Sequence, residues 1–191
     1  MRQLKSLAIV SLTLLASIAG APKGAPAWKG RVLSRKYGFS MGSPRGWTAG
    51  LDKDDLPVFI NFPTSPPVPQ QVLPKGGAAI NVVAKDSLPG RRMREMTMAE
   101  WADFTEQAAD RASLVASALD MPSSTGASNA MMASFDLRNL SLNSQGQHEA
   151  AVYWEFHGKL FAAYLFYVIG DPKAAEYSDL LVKLVRSIRP A

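Results

Sequence analysis

The residues that could carry out catalysis include a serine in a G-x-S-x-G pattern at positions 38–42 of this 191-residue chain. In α/β-hydrolases this pattern forms the nucleophile elbow, and Ser40 is followed by Asp136 and His157 in the order that this fold uses. The elbow requires a strand, a strained turn and then a helix, whereas positions 43–46 (Ser-Pro-Arg-Gly) are typical of a continuing turn. A small secreted serine hydrolase that uses Ser40, Asp136 and His157 is therefore the alternative function, and the preferred interpretation makes Ser40 an ordinary strand residue.

Two other groups of titratable residues could bind a cation, and each has a simpler interpretation. Glu155 and His157 are two residues apart on one strand face, where a solvated face has the same pattern. The aspartates at 52, 54 and 55 lack the glycine and the terminal glutamate of a calcium loop, so they predict a polar turn. Cysteine is absent, which removes disulfides and thiolate metal sites. The sequence predicts no metal, no cofactor and no enzymatic activity.

The densest positive cluster, Arg91, Arg92 and Arg94, precedes a predicted helix. A helix N-terminus offers free N–H groups and a positive dipole, so an anionic group could bind there, although a solvated loop explains the same residues. Trp28 lies in a segment rich in Gly, Ala, Pro and Lys, where an indole could contact a partner or cover the domain's own surface. These four residues are the predicted site for a ligand or partner.

The first 19 residues have the parts of a signal peptide. Arg2 and Lys5 form the positive region, positions 7–19 are mainly apolar, and small residues precede a cut after Ala19. A cut after Ala21 is the alternative, although it would place a proline next to the cut. The apolar run is shorter than the ~20 residues of a membrane-spanning helix. We expect a periplasmic or secreted protein that is not an integral membrane protein after cleavage.

The charge balance argues against nucleic acid as the partner. The chain has 21 Lys and Arg against 16 Asp and Glu, a formal net charge of +5. Two of the basic residues belong to the predicted signal peptide, so the mature chain keeps 19 against 16, a charge of +3. A charge this small gives little attraction to a phosphate backbone. The predicted partner is an envelope protein or a small ligand.

Periodic patterns predict the elements that would position these residues. Residues 20–31 are a flexible lead-in, and residues 32–191 form a single domain. The order of elements predicts an α+β fold in which a central antiparallel β-sheet is sandwiched by helices, in α/β/α layers. Strands are predicted at 37–41, 58–62, 79–84, 131–137, 148–156 and 161–169, helices at 97–118 and 171–190, and loops at 63–74 and 122–129.

Three details of these elements concern side-chain placement. The strand at 148–156 is apolar at even positions, so Glu149 and Tyr153 should lie on the face opposite the core. Residues 157–159 should form the turn of a terminal hairpin. Asp171 should cap the last helix, with a proline at its first position.

Tyr37-Gly38-Phe39-Ser40-Met41 and Pro44-Arg45-Gly46-Trp47 are followed by a proline-rich excursion, a middle helix, an aromatic hairpin and a terminal helix. Taken together, these motifs resemble the PsbP-like superfamily over residues 35–190. That superfamily includes extrinsic subunits of photosystem II, a Ran-binding nuclear import factor and exported bacterial proteins of unassigned role. The resemblance implies a binding or assembly role, and it carries over no catalytic or metal-binding residue.

The predicted signal peptide can be tested directly. Expressed with its leader in a bacterial host, the chain should be recovered outside the cytoplasm with Gly20 as its first residue, because small residues at 17 and 19 direct the cut. Intact-mass measurement checks this, and Ala19→Arg should block or displace the cut. Recovery of an uncut wild-type chain would show the prediction to be wrong.

Overall fold

The computed structural model describes residues 30–63, 73–85, 95, 115–137 and 146–191. Strands dominate these segments, and one helix, α1, is described along its whole length. In chain order the elements are β1 (Arg31–Ser34), β2 (Phe39–Gly42), β3 (Thr48–Leu51), β4 (Pro57–Ile60), β5 (Ala78–Lys85), β6 (Val115–Ala118), a 3₁₀ turn (Ser123–Thr125), β7 (Ser128–Leu137), β8 (Gln147–Phe156), β9 (Lys159–Val168), α1 (Ala174–Arg186) and β10 (Arg189–Pro190).

The strands form two antiparallel sheets. The larger sheet has seven strands in the order β3-β4-β5-β9-β8-β7-β6, and the smaller has three in the order β1-β2-β10. Strand β9 lies at the centre of the larger sheet and is paired along its length with β8 on one side and β5 on the other. Every residue of β9 after Lys159 is buried, as expected for a strand that is covered on both faces.

The hairpin that joins β8 to β9 is determined by its two-residue turn. His157 and Gly158 both have positive φ, 49° and 73°. Two successive left-handed residues are what a type I′ turn requires, and this turn matches the twist of the flanking strands. The predicted hairpin at 157–159 is therefore confirmed.

The smaller sheet and helix α1 cover one face of the larger sheet. Phe39 of β2 packs edge-to-face against Phe156 and Phe161, with ring centroids 5.7 and 5.3 Å apart. This contact joins the two sheets into one core. The buried side chains that α1 adds to this core are Tyr177, Leu181, Leu184 and Val185.

The opposite face of the larger sheet carries a second buried cluster, which includes Tyr153, Tyr164 and Phe166. Strand β8 is therefore covered on both faces. Glu149 and Tyr153 lie on the face opposite Ala150 and Val152, as predicted, but this face is buried and not solvated, because the two side chains are only 4% and 1% exposed. Alternation along a strand identifies its more apolar face, but it cannot show that other elements also cover the second face.

The ends of both predicted helices need correction. Residues 115–118 are strand β6 and not the end of a helix, because they pair with Met131–Ser134 of β7; residues 97–114 lie outside the described part of the chain. The last helix begins at Ala174 and not at Asp171. The Asp171 carboxylate accepts the N–H of Lys173 at 2.8 Å in the turn that precedes the helix. The helix ends at Arg186, since Arg189 and Pro190 pair with β2.

The six predicted strands are all present, with ends displaced by up to three residues. The predicted loop at 122–129 contains the 3₁₀ turn and the first residues of β7. The predicted α/β/α layering is not borne out, because the described residues are mostly antiparallel sheet with α1 on one face. No helix within these segments is long and apolar enough to cross a bilayer.

The contact between the sheets can be tested with a pair of substitutions. Phe39→Ala should lower the free energy of unfolding by about 3–5 kcal/mol, because it leaves a cavity between the sheets. Leu33→Ala in neighbouring β1 is the control: Leu33 is 40% exposed, and we expect a loss of about 0.5 kcal/mol or less. Urea denaturation monitored by circular dichroism measures both losses. Equal losses would contradict this role of Phe39.

Candidate functional site

The structure separates the three residues of the predicted serine triad. Asp136 lies opposite His148 in the register of β7 and β8, and its Oδ1 is 2.6 Å from His148 Nδ1. His157 is nine residues farther along the chain, which at about 3.3 Å per strand residue places it roughly 30 Å from Asp136. Ser40 lies in the smaller sheet, where its hydroxyl accepts a hydrogen bond from Arg31 Nε at 2.9 Å. There is no sign of a serine hydrolase.

The pair formed by His148 and Asp136 was not predicted from the sequence. The imidazole stacks on the ring of Tyr167 of β9, with centroids 4.7 Å apart. The two side chains of the pair are 19% and 22% exposed, so solvent reaches both. Cross-strand register brings them together, and the alternation within each strand does not reveal that register.

The other predicted acidic groups have structural partners. Glu155 accepts a hydrogen bond from Asn129 Nδ2 at 2.8 Å, and the ring of the exposed His157 stacks on Phe156. Asp52 Oδ1 accepts the N–H of Leu56 at 2.8 Å, which confirms the predicted polar turn. Among the residues that the structure describes, no group of three or more His, Cys, Asp or Glu side chains could hold a metal ion.

The predicted site residues Arg91, Arg92, Arg94 and Trp28 lie outside the described segments. Their role in binding a ligand or partner stays a prediction.

A different candidate site is a cleft of about 440 Å³. Three regions far apart in the sequence form its walls: the turn between β2 and β3, the segments that connect β4 to β5, and helix α1 with the residue before it. We call it the α1 cleft. The sequence does not indicate this cleft, because the cleft exists only when these regions are packed together.

The turn between β2 and β3 forms one wall of the α1 cleft. The Trp47 N–H donates to the Pro44 carbonyl at 3.3 Å, and Gly46 has a φ of 75°. A turn with a left-handed third residue is of type II, which favours glycine at that position. It leaves Arg45 exposed at the tip and buries Trp47, which is 7% exposed.

Hydrogen bonds hold the floor of the α1 cleft in place. The Tyr177 hydroxyl donates to the Gly76 carbonyl at 2.8 Å and accepts from Asn61 Nδ2 at 3.3 Å. The Asp171 carboxylate accepts the Gly76 N–H at 2.6 Å, and Asn61 Oδ1 accepts the Ala78 N–H at 2.6 Å. These bonds join the start of α1 to the segments between β4 and β5. The phenolic proton of Tyr177 is therefore already engaged.

The lining of the α1 cleft is positively charged. Arg45, Lys173 and Lys183 contribute three cations, against the single carboxylate of Glu176. None of these four side chains forms an ion pair with another residue of the described segments. Unpaired cations around a concave surface produce a positive potential that attracts anions.

Two tyrosines connect the α1 cleft to the His148–Asp136 pair. The rings of Tyr177 and Tyr167 are 5.6 Å apart, and Tyr167 in turn stacks on His148. Burial raises the pKa of both phenols, and the nearby Asp171 carboxylate adds to this effect. Hydrogen bonds with Asn61 at Tyr177 and with Ser178 at Tyr167 act in the opposite direction.

Comparisons with known proteins concern the fold alone. No protein-family model and no curated protein matches the chain. Among solved structures it is similar to the solution structure of cyanobacterial PsbP (CyanoP) from Synechocystis sp. PCC 6803, with 14% identity and a TM-score of 0.46 over 90% of this chain and 99% of that one. CyanoP belongs to the superfamily that the sequence motifs of this chain resemble.

A crystal structure from Bacteroides thetaiotaomicron VPI-5482 is also similar, with 12% identity and a TM-score of 0.44. The match covers 86% of this chain and 49% of that one, so this chain spans about half of its length.

The two buried phenols predict how stability responds to alkali. The unfolded chain loses its tyrosine protons near the ordinary pKa of about 10, whereas Tyr167 and Tyr177 keep theirs to higher pH in the folded chain. The stability they contribute is therefore complete below about pH 10 and is lost as the pH rises through their folded-state pKa values. Urea denaturation across this range should show a smaller alkaline loss for Tyr177→Phe than for the wild type.

The tyrosinate absorbance of the folded protein provides an independent measurement. Tyr177→Phe should remove one late-titrating phenol, with circular dichroism confirming the fold at each pH. If the substitution instead removes a phenol that titrates at its ordinary pH, the prediction of a raised pKa for Tyr177 is wrong.

Proposed function

We propose that this protein is an exported, non-enzymatic accessory module that binds a small ligand or a protein partner, and that the α1 cleft is its binding site. The observation that carries the proposal is a cleft of about 440 Å³ whose three cations have no ion-pair partner among the described residues. Small-molecule sites have volumes of about 300–1,000 Å³. Export is inferred from the signal-peptide features of the first 19 residues.

A binding role is supported by the kinds of side chain in the cleft. No Ser, His or Asp is among the described residues that line it, so these residues do not provide a Ser-His-Asp triad. The Tyr177 proton is engaged by the Gly76 carbonyl. Asp136 is paired with His148. The ionisable groups that remain at the cleft are suited to electrostatic attraction.

The structure of the cleft also favours binding on physical grounds. Its floor is held by hydrogen bonds between α1 and the segments before β5, so little of the floor must be ordered when a ligand arrives. The exposed side chains of Lys173 and Lys183 can move to meet a charged group. A positive concave surface also speeds the approach of an anion.

The predicted basic cluster remains a candidate for contact with a protein partner. Arg91, Arg92 and Arg94, together with the loop at 63–74, would form a surface separate in sequence from the cleft lining. Charge reversal of these arginines would weaken such a contact by removing electrostatic complementarity.

A charge-reversal pair tests the proposed function. The wild type, purified natively after export in a bacterial host, should retain a defined small molecule or protein that native mass spectrometry detects. Lys173→Glu with Lys183→Glu should lose it, because the cleft then repels an anion. The matched control, Lys53→Glu with Lys159→Glu, makes the same change in net charge at exposed lysines outside the cleft and should retain it.

Two results would contradict the proposal. The first is equal retention by the wild type and the cleft variant, which would exclude the cleft as the binding site. The second is catalytic conversion of the retained molecule by the purified protein, which would exclude a non-enzymatic role.

A further inference from the structure

The cations of the α1 cleft are spaced along one side of a helix. Lys173, Glu176, Leu180 and Lys183 all line the cleft, at intervals of three or four residues that place them on one helical face. At about 1.5 Å of rise per residue, the two lysines lie roughly 15 Å apart at the level of the backbone. The site is therefore elongated, with a lysine at each end and a leucine between them.

Aromatic and aliphatic side chains lie between the cations of the α1 cleft. Trp47 and Tyr177 pack edge-to-face with centroids 6.1 Å apart, and both are buried. The indole, the phenol ring and Leu180 together provide an apolar surface between the cations. Because the Tyr177 proton is donated to Gly76, the phenol offers its ring more readily than a hydrogen bond.

The volume and the charge restrict the ligand further. An inorganic anion such as phosphate occupies only a small part of about 440 Å³ and would leave the apolar surface uncovered. A neutral apolar molecule would fill the space but make no use of its net positive charge, three cations against one carboxylate. A molecule that satisfies both requirements has an anionic group and an apolar body.

We infer that the α1 cleft binds a small, elongated organic anion whose apolar or aromatic body lies over Trp47, Tyr177 and Leu180 while its charge is held by Lys173, Lys183 or Arg45. This inference rests on the proposed function, since it names the class of ligand for the same site. A hydroxyl group cannot replace the charge of the ligand, because the recognition is electrostatic.

Three probes separate the contributions of charge and body. 2-Naphthyl phosphate has both, inorganic phosphate has only the charge, and 2-naphthylmethanol has only the ring system. In NMR titrations of the full chain, 2-naphthyl phosphate should shift the Trp47 indole N–H and the Gly76 amide with saturation. Its Kd should be lower than that of either other probe by about tenfold or more, since a charge-assisted contact and a buried ring each contribute at least that factor.

Single charge reversals test whether the anionic group of the ligand contacts α1. Lys183→Glu should raise the Kd for 2-naphthyl phosphate by about tenfold, because an attractive charge becomes repulsive. Lys53→Glu makes the same charge change at an exposed lysine outside the cleft and should leave the Kd within about twofold, because its effect is screened by salt. Raising the ionic strength should weaken binding to the wild type.

Several results would overturn the inference. If inorganic phosphate bound as tightly as 2-naphthyl phosphate, the apolar body would contribute nothing to affinity. If 2-naphthylmethanol bound as tightly, the charge would contribute nothing. Absence of saturable shifts would exclude this class of ligand altogether. If the wild type still retained a cleft-dependent molecule after native purification, the proposed function would stand although the ligand class was wrong.

Discussion

Strand β9 lies in the middle of the larger sheet, paired along its length with β5 and β8. Because successive side chains of a strand point to opposite faces, β9 contributes to both buried clusters at once. On one face its Phe161 packs against Phe39, which holds the smaller sheet in place. Its Tyr167 packs against Tyr177 of α1. The position of the helix, and with it one wall of the α1 cleft, therefore depends on this strand.

The elements with strong local signals were predictable from the sequence. The apolar run of β9 indicates a strand covered on both faces, and Gly158 indicates the hairpin turn before it. Strand β6 was not predictable, because its small residues continue the stripe of a helix and only pairing with β7 makes them a strand. The burial of Glu149 was not predictable for the same reason, since the alternation of side chains along a strand does not show which other elements cover it.

The α1 cleft was predictable only in parts. Pro44, Gly46 and Trp47 have the residue types of a turn that places an aromatic side chain in the core, and the structure has that turn. Lys173 and Lys183, by contrast, have the sequence pattern of ordinary lysines on the exposed side of a helix. They become part of a site only because α1 packs beside a turn that lies more than 100 residues earlier. A cleft formed by tertiary contacts leaves no local pattern.

The smaller sheet has a topological consequence of its own. Strands β1 and β10 lie on either side of β2, which at about 4.8 Å between neighbouring strands places them roughly 10 Å apart. The Arg31 side chain donates to the carbonyl groups of Ser40 and Ser187, so the first strand is also bound to the end of α1. The described chain thus enters and leaves the fold at nearly the same place. A short linker between residues 31 and 190 would therefore make the connectivity of the described strands circular, and a loop elsewhere could be opened with these strand pairs preserved.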